Sequence, residues 1–230
     1  MIYHIDFDID FKRNNEKGFL IVIEGIDGAG KTTQAELIAK ELSKKHAIYQ
    51  TKNPTDGEIG QLVRKVLSGE LKIPPIALQF LFSADRQVQQ EGIINRLKDG
   101  EIIIMDRYFW SAVVYGSVDL AGSNFADSAD KLLVTQSILS MYHKFLVPDM
   151  SIYLKVPIEI ALKRIGTKKD RLEIYEHEEK LINIEKGYNW LVDKFKNEFT
   201  IIDGTKSEAE IAKEIVNIFN NLKEKRNDSN

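Results

Sequence analysis

A phosphate-binding loop near the start of the chain constrains the fold more than any other stretch. Residues Gly25 to Thr33 read Gly-Ile-Asp-Gly-Ala-Gly-Lys-Thr-Thr, which satisfies the pattern G-x-x-x-x-G-K-[ST]. A continuous apolar run of strand length, residues 19–24, precedes the loop, and a stretch with helical spacing, residues 34–42, follows it. The pattern therefore predicts a strand, a glycine-rich turn and a helix, the context in which such a loop binds nucleotide phosphates.

The chemistry of this loop assigns roles to individual residues. Glycines let the backbone curl so that successive N–H groups face one anion, and the new helix adds the positive end of its dipole. We expect Lys31 to reach the β and γ phosphates of ATP and the Thr32 hydroxyl to coordinate Mg²⁺. A glycine-rich turn that binds nothing is the alternative, which the flanking strand and helix disfavour. The predicted ATP-binding residues are Gly25, Ile26, Asp27, Gly28, Ala29, Gly30, Lys31, Thr32 and Thr33.

Composition excludes several classes of protein. A chain of 230 residues fits one α/β domain with a small lid. The formal net charge of −3 gives no general signal for polyanions, so nucleic acid is not an expected partner. Cysteine is absent, which removes disulfides and thiol nucleophiles and suits a reducing compartment. We see neither a membrane-spanning run nor a signal peptide and expect a cytoplasmic location without a membrane partner.

The remaining pattern predicts a P-loop fold with a three-layer α/β/α architecture and a five-stranded parallel sheet. Apolar runs alternate with helical stretches, as expected for a parallel sheet covered on both faces. The predicted strands are residues 19–24, 47–51, 102–106, 151–156 and 200–203. The predicted helices are residues 34–42, 59–67, 76–98, 124–145, 158–165, 175–195 and 207–222, with Gly92 a possible interruption in the third. The P-loop domain would span residues 18–222, followed by a charged, frayed tail at 223–230.

The first stretch of the chain alternates strictly between apolar and polar residues from Tyr3 to Lys12. This period of two predicts an additional strand with one buried face, followed by a polar linker over residues 13–17. A disordered extension is the alternative. We therefore treat residues 1–17 as an N-terminal extension.

A second motif, Asp106-Arg107-Tyr108, ends the apolar run of residues 102–106. A phosphate loop alone also fits a GTPase, a motor or a transporter subunit, but this motif lacks the Asp-x-x-Gly of a GTPase switch. Asp106 is expected to hold the hydration shell of Mg²⁺, and Arg107 to hold oxygens of the transferred or acceptor phosphate. The alternatives are a helix N-cap for Asp106 and a structural ion pair for Arg107.

Four motifs in this order resemble those of the thymidylate kinase family. They are Glu24 to Gln34, Leu81 to Arg86, Asp106 to Tyr108 with Ser111 and Tyr115 after it, and Asp170 to Glu173. The resemblance covers about residues 18–222. It implies a nucleoside monophosphate kinase that moves the γ-phosphoryl of MgATP to dTMP, giving dTDP and ADP for dTTP biosynthesis. It also implies a homodimer.

The resemblance further implies the acceptor site. Asp27 resembles the acid that accepts a hydrogen bond from the 3′-hydroxyl of the nucleotide. Phe82 resembles the aromatic residue that stacks on thymine, and Arg86 the arginine that donates to the base. These two are four residues apart on one helix and can face one pocket. Tyr115 lies where a ring leaves no room for a 2′-hydroxyl, and Ser111 is expected to help build the same pocket.

A basic lid at about residues 164–173 is also implied. Gly28 stands where one subgroup of the family carries an arginine, so this chain resembles the subgroup whose lid supplies the positive charge. Phosphoryl transfer needs such charge near the moving group. The candidates are Arg164, Lys168, Lys169 and Arg171, of which we favour Arg171 as the catalytic residue, with Arg164 second. We also expect Arg164 to bind ATP.

Two positions depart from the family's pattern. Lys52 stands where many members carry the arginine that binds the acceptor phosphate, and lysine lacks the bidentate geometry of arginine. Gly116 follows Tyr115 in place of the usual glutamine. Two rival functions remain open on the sequence alone. One is a kinase for dUMP, another monophosphate or a deoxynucleoside, and the other is a nucleotide-dependent switch or regulatory binder with the same fold.

Overall fold

The computed structural model of the protein describes residues 11–121, 131–166 and 178–228. In chain order its elements are β1 (Phe19–Glu24), α1 (Lys31–Leu42), β2 (Ile48–Lys52), α2 (Glu58–Leu67), α3 (Pro75–Lys98), β3 (Ile102–Asp106), α4 (Phe109–Ala121), α5 (Lys131–Ser140), β4 (Met150–Lys155), α6 (Ile158–Gly166), α7 (Glu178–Lys194), β5 (Phe199–Asp203) and α8 (Glu208–Asp228). No helix within these ranges is long and apolar enough to cross a membrane.

The five strands form one parallel sheet in the order β2-β3-β1-β4-β5. β1 and β3 are buried at every position, whereas the edge strands β2 and β5 have exposed positions. Strands buried on both faces read as continuous apolar runs, which is why the central strands are plain in the sequence. The predicted fold class, an α/β fold with a five-stranded parallel sheet, is confirmed.

The order of the strands sets the position of the two main motifs. β1 and β3 are neighbours, and Ile23 pairs with Asp106 at their carboxyl ends. Because parallel strands end at the same edge of a sheet, the phosphate loop after β1 and the motif at the end of β3 lie side by side. The topology alone therefore brings Lys31 and Arg107 into one region.

Helix α4 is the largest difference from the predicted pattern, because no helix was predicted directly after β3. Nearly every residue from Phe109 to Val118 is buried, and the helix packs against α3, α5 and α7. A helix that is apolar on all sides has no amphipathic period to detect. Conversely, α3 continues through Gly92 without interruption, so the suggested break there is wrong.

The helix predicted over residues 124–145 ends earlier than expected. Its start lies partly outside the described residues, and α5 stops at Ser140. Tyr142 and Phe145 are buried, as the apolar spacing required, but they occupy a turn rather than a helix. The buried side chains after Ser140 thus have the spacing typical of a helix, although the backbone there is not helical.

The described residues of the predicted linker (13–17) and of the predicted tail (223–228) make contacts that were not predicted. Residues 1–10, the main part of the predicted extra strand, lie outside the described residues, but Lys12 forms a parallel bridge with Leu146. Asn14, in the predicted linker, is buried and donates to Asp149 at 2.6 Å. Helix α8 continues to Asp228, and Arg226 donates to Gly18 O at 3.1 Å, so fraying from residue 223 is wrong as far as Asp228.

Candidate active site

The phosphate loop is shaped by glycines that no other residue could replace without strain. The loop Gly25–Thr33 joins β1 to α1, which begins at Lys31. Gly28 and Gly30 have φ angles of 80° and 95°, a region that side chains rarely adopt. A Cβ atom on Gly28 would also lie 2.4 Å from the carbonyl oxygen of Ala161. An arginine therefore does not fit at this position, which agrees with the expectation that charge must come from elsewhere.

Lys31 is held on the inner side of the loop. Its ammonium donates to Ile26 O at 2.8 Å and lies 3.8 Å from a carboxylate oxygen of Asp27. Burial and the charge of Arg107 lower the pKa of Lys31 to about 8, although the carboxylates of Asp27 and Asp106 act in the other direction. Burial disfavours the charged form of this ammonium, and the oxygens of a bound phosphate would stabilise it.

Thr32 and Asp106 provide the oxygens expected for a divalent cation. The Thr32 hydroxyl donates to Asp106 Oδ2 at 2.5 Å. The other oxygen, Asp106 Oδ1, is buried and has no hydrogen-bond partner among the described residues. No cluster of three or more His, Cys, Asp or Glu side chains that could hold a metal occurs in the described ranges. Mg²⁺ fits this pair because it prefers few protein oxygens, completing its shell with water and phosphates.

Arg107 is the hub of the hydrogen bonds across the site. Its guanidinium donates to Asp27 Oδ1, to Tyr115 OH at 2.9 Å, to Ser111 Oγ at 3.1 Å and to Gly25 O at 3.2 Å. The residue itself has a φ of 69°, which is uncommon outside glycine and marks a backbone held by its surroundings. The geometry fixes the guanidinium between the phosphate loop and α4.

The ion pair between Arg107 and Asp27 determines the charge state of both groups. Burial alone would raise the pKa of Asp27, but Arg107, Lys31 and the hydrogen bond from Tyr115 hold it below its usual value. Burial would lower the pKa of Arg107, yet Asp27 raises it well above the ordinary range. Both groups are therefore charged at neutral pH. Burial raises the pKa of Tyr115 well above the ordinary range, so its hydroxyl remains a donor.

Glu24 and Tyr188 form a layer beneath Arg107 that sequence reasoning gave no role. Glu24 accepts hydrogen bonds from Tyr108 N, Ser111 N, Ser111 Oγ and Tyr188 OH. Burial raises the pKa of Glu24 despite these four donors. An acid at the end of an otherwise apolar, buried strand was the signal that could have identified Glu24, since such a carboxylate must be paired.

Helix α3 presents a separate set of polar and aromatic groups, which we call the α3 wall and define as Gln79, Phe82 and Arg86. Arg86 is 2% exposed, and its guanidinium carbon lies 5.3 Å from the centre of the Phe82 ring. Its Nη1 donates to Phe82 O at 3.2 Å and to Tyr142 OH at 3.3 Å. The expected pairing of Phe82 and Arg86 on one helix face is present.

The loop after β2 brings further positive charge to the site. Lys52 Nζ lies 3.5 Å from Asp56 Oδ1, and the guanidinium of Arg64 on α2 donates to Pro54 O at 2.6 Å. Asp85 on α3 accepts from Thr55 N at 2.9 Å and thereby anchors this loop. The sequence analysis named Lys52 and missed Arg64, which approaches the same place from a different element.

Arg164 is the one lid candidate that lies within the described residues. It donates to Ala29 O at 3.3 Å and to Gly204 O at 2.9 Å, so it bridges the phosphate loop and the turn after β5. Lys168, Lys169 and Arg171 lie outside the described residues. The favoured role of Arg171 therefore stays a prediction.

These groups share one cavity of about 520 Å³, a volume typical of small-molecule sites. Of the predicted site residues, Gly25 and Ile26 do not line it. Those that do are Asp27, Gly28, Ala29, Gly30, Lys31, Thr32, Thr33, Lys52, Phe82, Arg86, Asp106, Arg107, Ser111, Tyr115 and Arg164. Gln79 and Arg64, which had no predicted role, line it as well. The fold therefore assembles motifs from five separate stretches of chain around a single space.

The sequence is similar to one family over most of its length. A family profile described as thymidylate kinase matches residues 23–215. A probable thymidylate kinase from Methanococcus aeolicus is 38% identical over 201 residues, covering 85% of this chain and 93% of the relative. One from Methanocaldococcus jannaschii is 34% identical and covers 88% and 96%, and a putative thymidylate kinase from Treponema pallidum is 31% identical and covers 90% and 95%.

The fold is similar to a solved structure as well. A structure titled as thymidylate kinase from Candida albicans superposes with a TM-score of 0.75 and covers 90% of this chain and 93% of its own. The two sequences are 24% identical, so the likeness concerns the fold. Its extent shows that the described elements have the usual arrangement of that fold.

Proposed function

The chain belongs to the thymidylate kinase family, and from this premise we propose that it transfers the γ-phosphoryl group of ATP to dTMP. The bond between the γ-phosphorus and the β–γ bridging oxygen breaks, and a bond to an oxygen of the 5′-phosphate forms, giving ADP and dTDP. No covalent intermediate with the protein is required. The observation that carries the proposal is the single cavity, in which a phosphate loop faces a second cationic site.

The loop side of the cavity suits the donor. Lys31 would neutralise oxygens of the β and γ phosphates, whose negative charge would in turn stabilise the buried ammonium. Arg164 braces the loop from the side of Gly204. Thr32 and Asp106 would hold Mg²⁺, which supplies charge neutralisation at the donor phosphates when bound. We propose Arg171 as the lid residue that follows the transferred group.

The second cationic site suits the phosphate and sugar of the acceptor. Arg107 and Lys52 would hold oxygens of the 5′-phosphate, with Arg107 giving up part of its pairing with Asp27. Asp27 would then accept from the 3′-hydroxyl, and Tyr115 would pack against the deoxyribose. Ser111 and Glu24 keep Arg107 in place while these partners change. Preorganised charge of this kind is the main source of catalysis in phosphoryl transfer.

An acceptor panel tests the proposal. Purified protein with MgATP is given dTMP, dUMP, dCMP, dGMP, thymidine or no acceptor, and ADP formation is followed in a coupled assay. We expect turnover with dTMP well above the rate without acceptor. Folded protein that binds ATP without acceptor-stimulated ADP formation would refute the kinase proposal and favour a regulatory binder. Faster turnover with dUMP or thymidine would correct the acceptor and keep the reaction class.

We also propose that the protein is cytoplasmic and forms a homodimer in which α3 lies at the interface. Ile76, Phe80 and Val88 are 44%, 59% and 72% exposed and recur every four or eight residues, so they form one apolar stripe. Val88→Asp should convert the dimer to a monomer in sedimentation experiments. A wild-type protein that sediments as a monomer at micromolar concentration would exclude the proposed assembly.

A further inference from the structure

Gln79 is a buried polar side chain with no hydrogen-bond partner among the described residues. It is 0% exposed, and neither Oε1 nor Nε2 has a hydrogen bond to any described residue. Leaving a buried polar group unsatisfied costs on the order of 1–3 kcal/mol. Since most buried polar groups in folded proteins are paired, this exception calls for a partner beyond the described residues.

The position of Gln79 points to a ligand as that partner. It lines the cavity together with Phe82 and Arg86, three and seven residues further along α3, so all three lie on one face of the helix. Arg86 contributes a third unpaired polar atom, because its buried Nε has no partner among the described residues. The α3 wall thus combines an aromatic ring with two donors and an acceptor that are all unused.

Gly116 on α4 makes room for the amide. A Cβ atom at this position would lie 2.8 Å from both Cδ and Oε1 of Gln79, and 2.8 Å from Cδ1 of Ile138. The backbone conformation of Gly116 does not itself require glycine, since it carries no positive φ. The absence of a side chain at Gly116 therefore serves the packing, because it leaves room for the carboxamide of Gln79 beside α4.

We propose that Gln79 recognises the nucleobase of the acceptor by hydrogen bonding, an inference that rests on the kinase function proposed above. A carboxamide offers one donor and one acceptor side by side. The edge of thymine or uracil offers an N3–H donor beside a carbonyl acceptor, so the two can form a pair of hydrogen bonds. Phe82 supplies the face on which the ring stacks.

Arg86 adds a donor that distinguishes between pyrimidine bases. Its unpaired Nε is a donor and suits a carbonyl oxygen of the base. Cytosine presents an amino donor where thymine presents that carbonyl, so a cytosine base would set donor against donor. The α3 wall is accordingly selective for thymine and uracil over cytosine, because unpaired buried donors penalise the wrong base strongly.

The test separates the base from the rest of the nucleotide. Calorimetry measures the binding of dTMP and of deoxyribose 5-phosphate, which lacks the base, to wild type and to Gln79→Leu. We expect Gln79→Leu to weaken dTMP binding about 10- to 100-fold, the effect of one or two lost hydrogen bonds, and to leave deoxyribose 5-phosphate unchanged. The matched control Gln136→Leu, at an exposed position on α5, should change neither.

The outcomes distinguish this inference from the proposed reaction. If wild type phosphorylates dTMP and Gln79→Leu binds dTMP within about twofold of wild type, Gln79 does not read the base and the kinase function stands. If dTMP binding depends on Gln79 but no ADP forms, the base site stands and the reaction fails. If wild type binds dTMP no tighter than deoxyribose 5-phosphate, the inference is wrong. Gln79→Met, nearly isosteric, replaces the leucine variant should that one not fold.

Discussion

Glu24 and Gln79 are both completely buried polar side chains of one site, Glu24 beneath Arg107 and Gln79 in the wall of the cavity, but their surroundings are opposite. Glu24 accepts four hydrogen bonds, whereas Gln79 makes none with any described residue. Both are 0% exposed, so solvent does not explain the difference. The layer beneath Arg107 therefore has its polar groups paired, whereas the α3 wall has polar groups that lack partners among the described residues.

The cluster around Arg107 on the loop side is paired without substrate. Arg107 already pairs with Asp27 and Tyr115, and Glu24 locks Ser111 beneath it. A phosphate that binds there must compete with existing bonds, but it finds its charges fixed in position. The α3 wall instead keeps Gln79 and part of Arg86 unsatisfied until a base arrives. Changes on the loop side should thus act on turnover and folding, and changes on the α3 wall on acceptor affinity.

The largest expected effect is that of Arg107→Ala. Loss of the guanidinium removes the charge that holds phosphate oxygens and leaves Asp27 to Lys31 and Tyr115. We expect kcat/KM to fall on the order of 10³-fold, in the range of lost electrostatic stabilisers of phosphoryl transfer. Steady-state assays over a range of dTMP concentrations would measure it, with a melting curve as the control for folding. Near-normal turnover would show that the loop side does not act on catalysis.

Glu24→Gln tests whether the loop side depends on its internal pairing. The new amide would turn a donor toward at least one of the groups that now donate to Glu24, such as Tyr188 OH. A buried donor left without an acceptor should cost on the order of 1–3 kcal/mol of folding free energy. Urea titration of the ligand-free protein measures this loss. Unchanged stability would mean that the four hydrogen bonds do not hold this layer together.

The contrast also explains what the sequence could reveal. Lys31, Thr32, Asp106 and Arg107 stand at strand ends in short motifs, and the parallel topology dictates that such motifs meet at one edge. Their location was therefore predictable. Helix α4 was not, because burial on all sides removed the amphipathic period that marks helices near the surface.

The role of Gln79 could not be read from the chain for a different reason. Its importance depends on the lack of a partner and on the space left by Gly116, which lies on another helix. Neither fact is a local pattern. Arg64 was missed likewise, since only folding of the loop 52–56 brings its side chain to the cavity. Contacts between residues of different secondary-structure elements thus cannot be predicted from local motifs and periodicity.

Gly116→Ala probes the α3 wall from the opposite helix. The added methyl would lie 2.8 Å from the amide of Gln79 and from Ile138, so the amide must move. We expect KM for dTMP to rise about 10-fold, roughly the effect of one displaced hydrogen bond, with KM for ATP unchanged. In a Gln79→Ser background the same change should have a smaller effect, because the methyl then meets less side chain. Equal effects in both backgrounds would contradict contact between Gly116 and Gln79.

Gln79→Leu should have a smaller and opposite effect on the ligand-free protein. Replacing an unpaired amide by an apolar group of similar size removes the desolvation penalty, so we expect unchanged stability or a gain of up to about 1 kcal/mol. The stabilisation that saturating dTMP gives should shrink in the same variant. Urea titrations with and without dTMP measure both quantities. A clear loss of stability without ligand would show that Gln79 is satisfied in the apo protein.

His46 gives the smallest expected effect and marks the limit of the comparison, since water still reaches this side chain. Burial and the charges of Lys223 and Lys45 lower the pKa of His46 in the folded protein. The unfolded chain then binds the proton more readily than the folded protein. The contribution of His46 to stability is therefore fully present above the ordinary histidine pKa, and it is lost as the pH falls from that value through the lower pKa of the folded protein. His46→Gln should remove a small part of the decline in melting temperature between pH 7.5 and 5.5 and leave kcat/KM for dTMP unchanged. An identical decline in variant and wild type would show that partial burial of His46 has no measurable effect. That result would strengthen the distinction between partly exposed side chains and the completely buried Glu24 and Gln79.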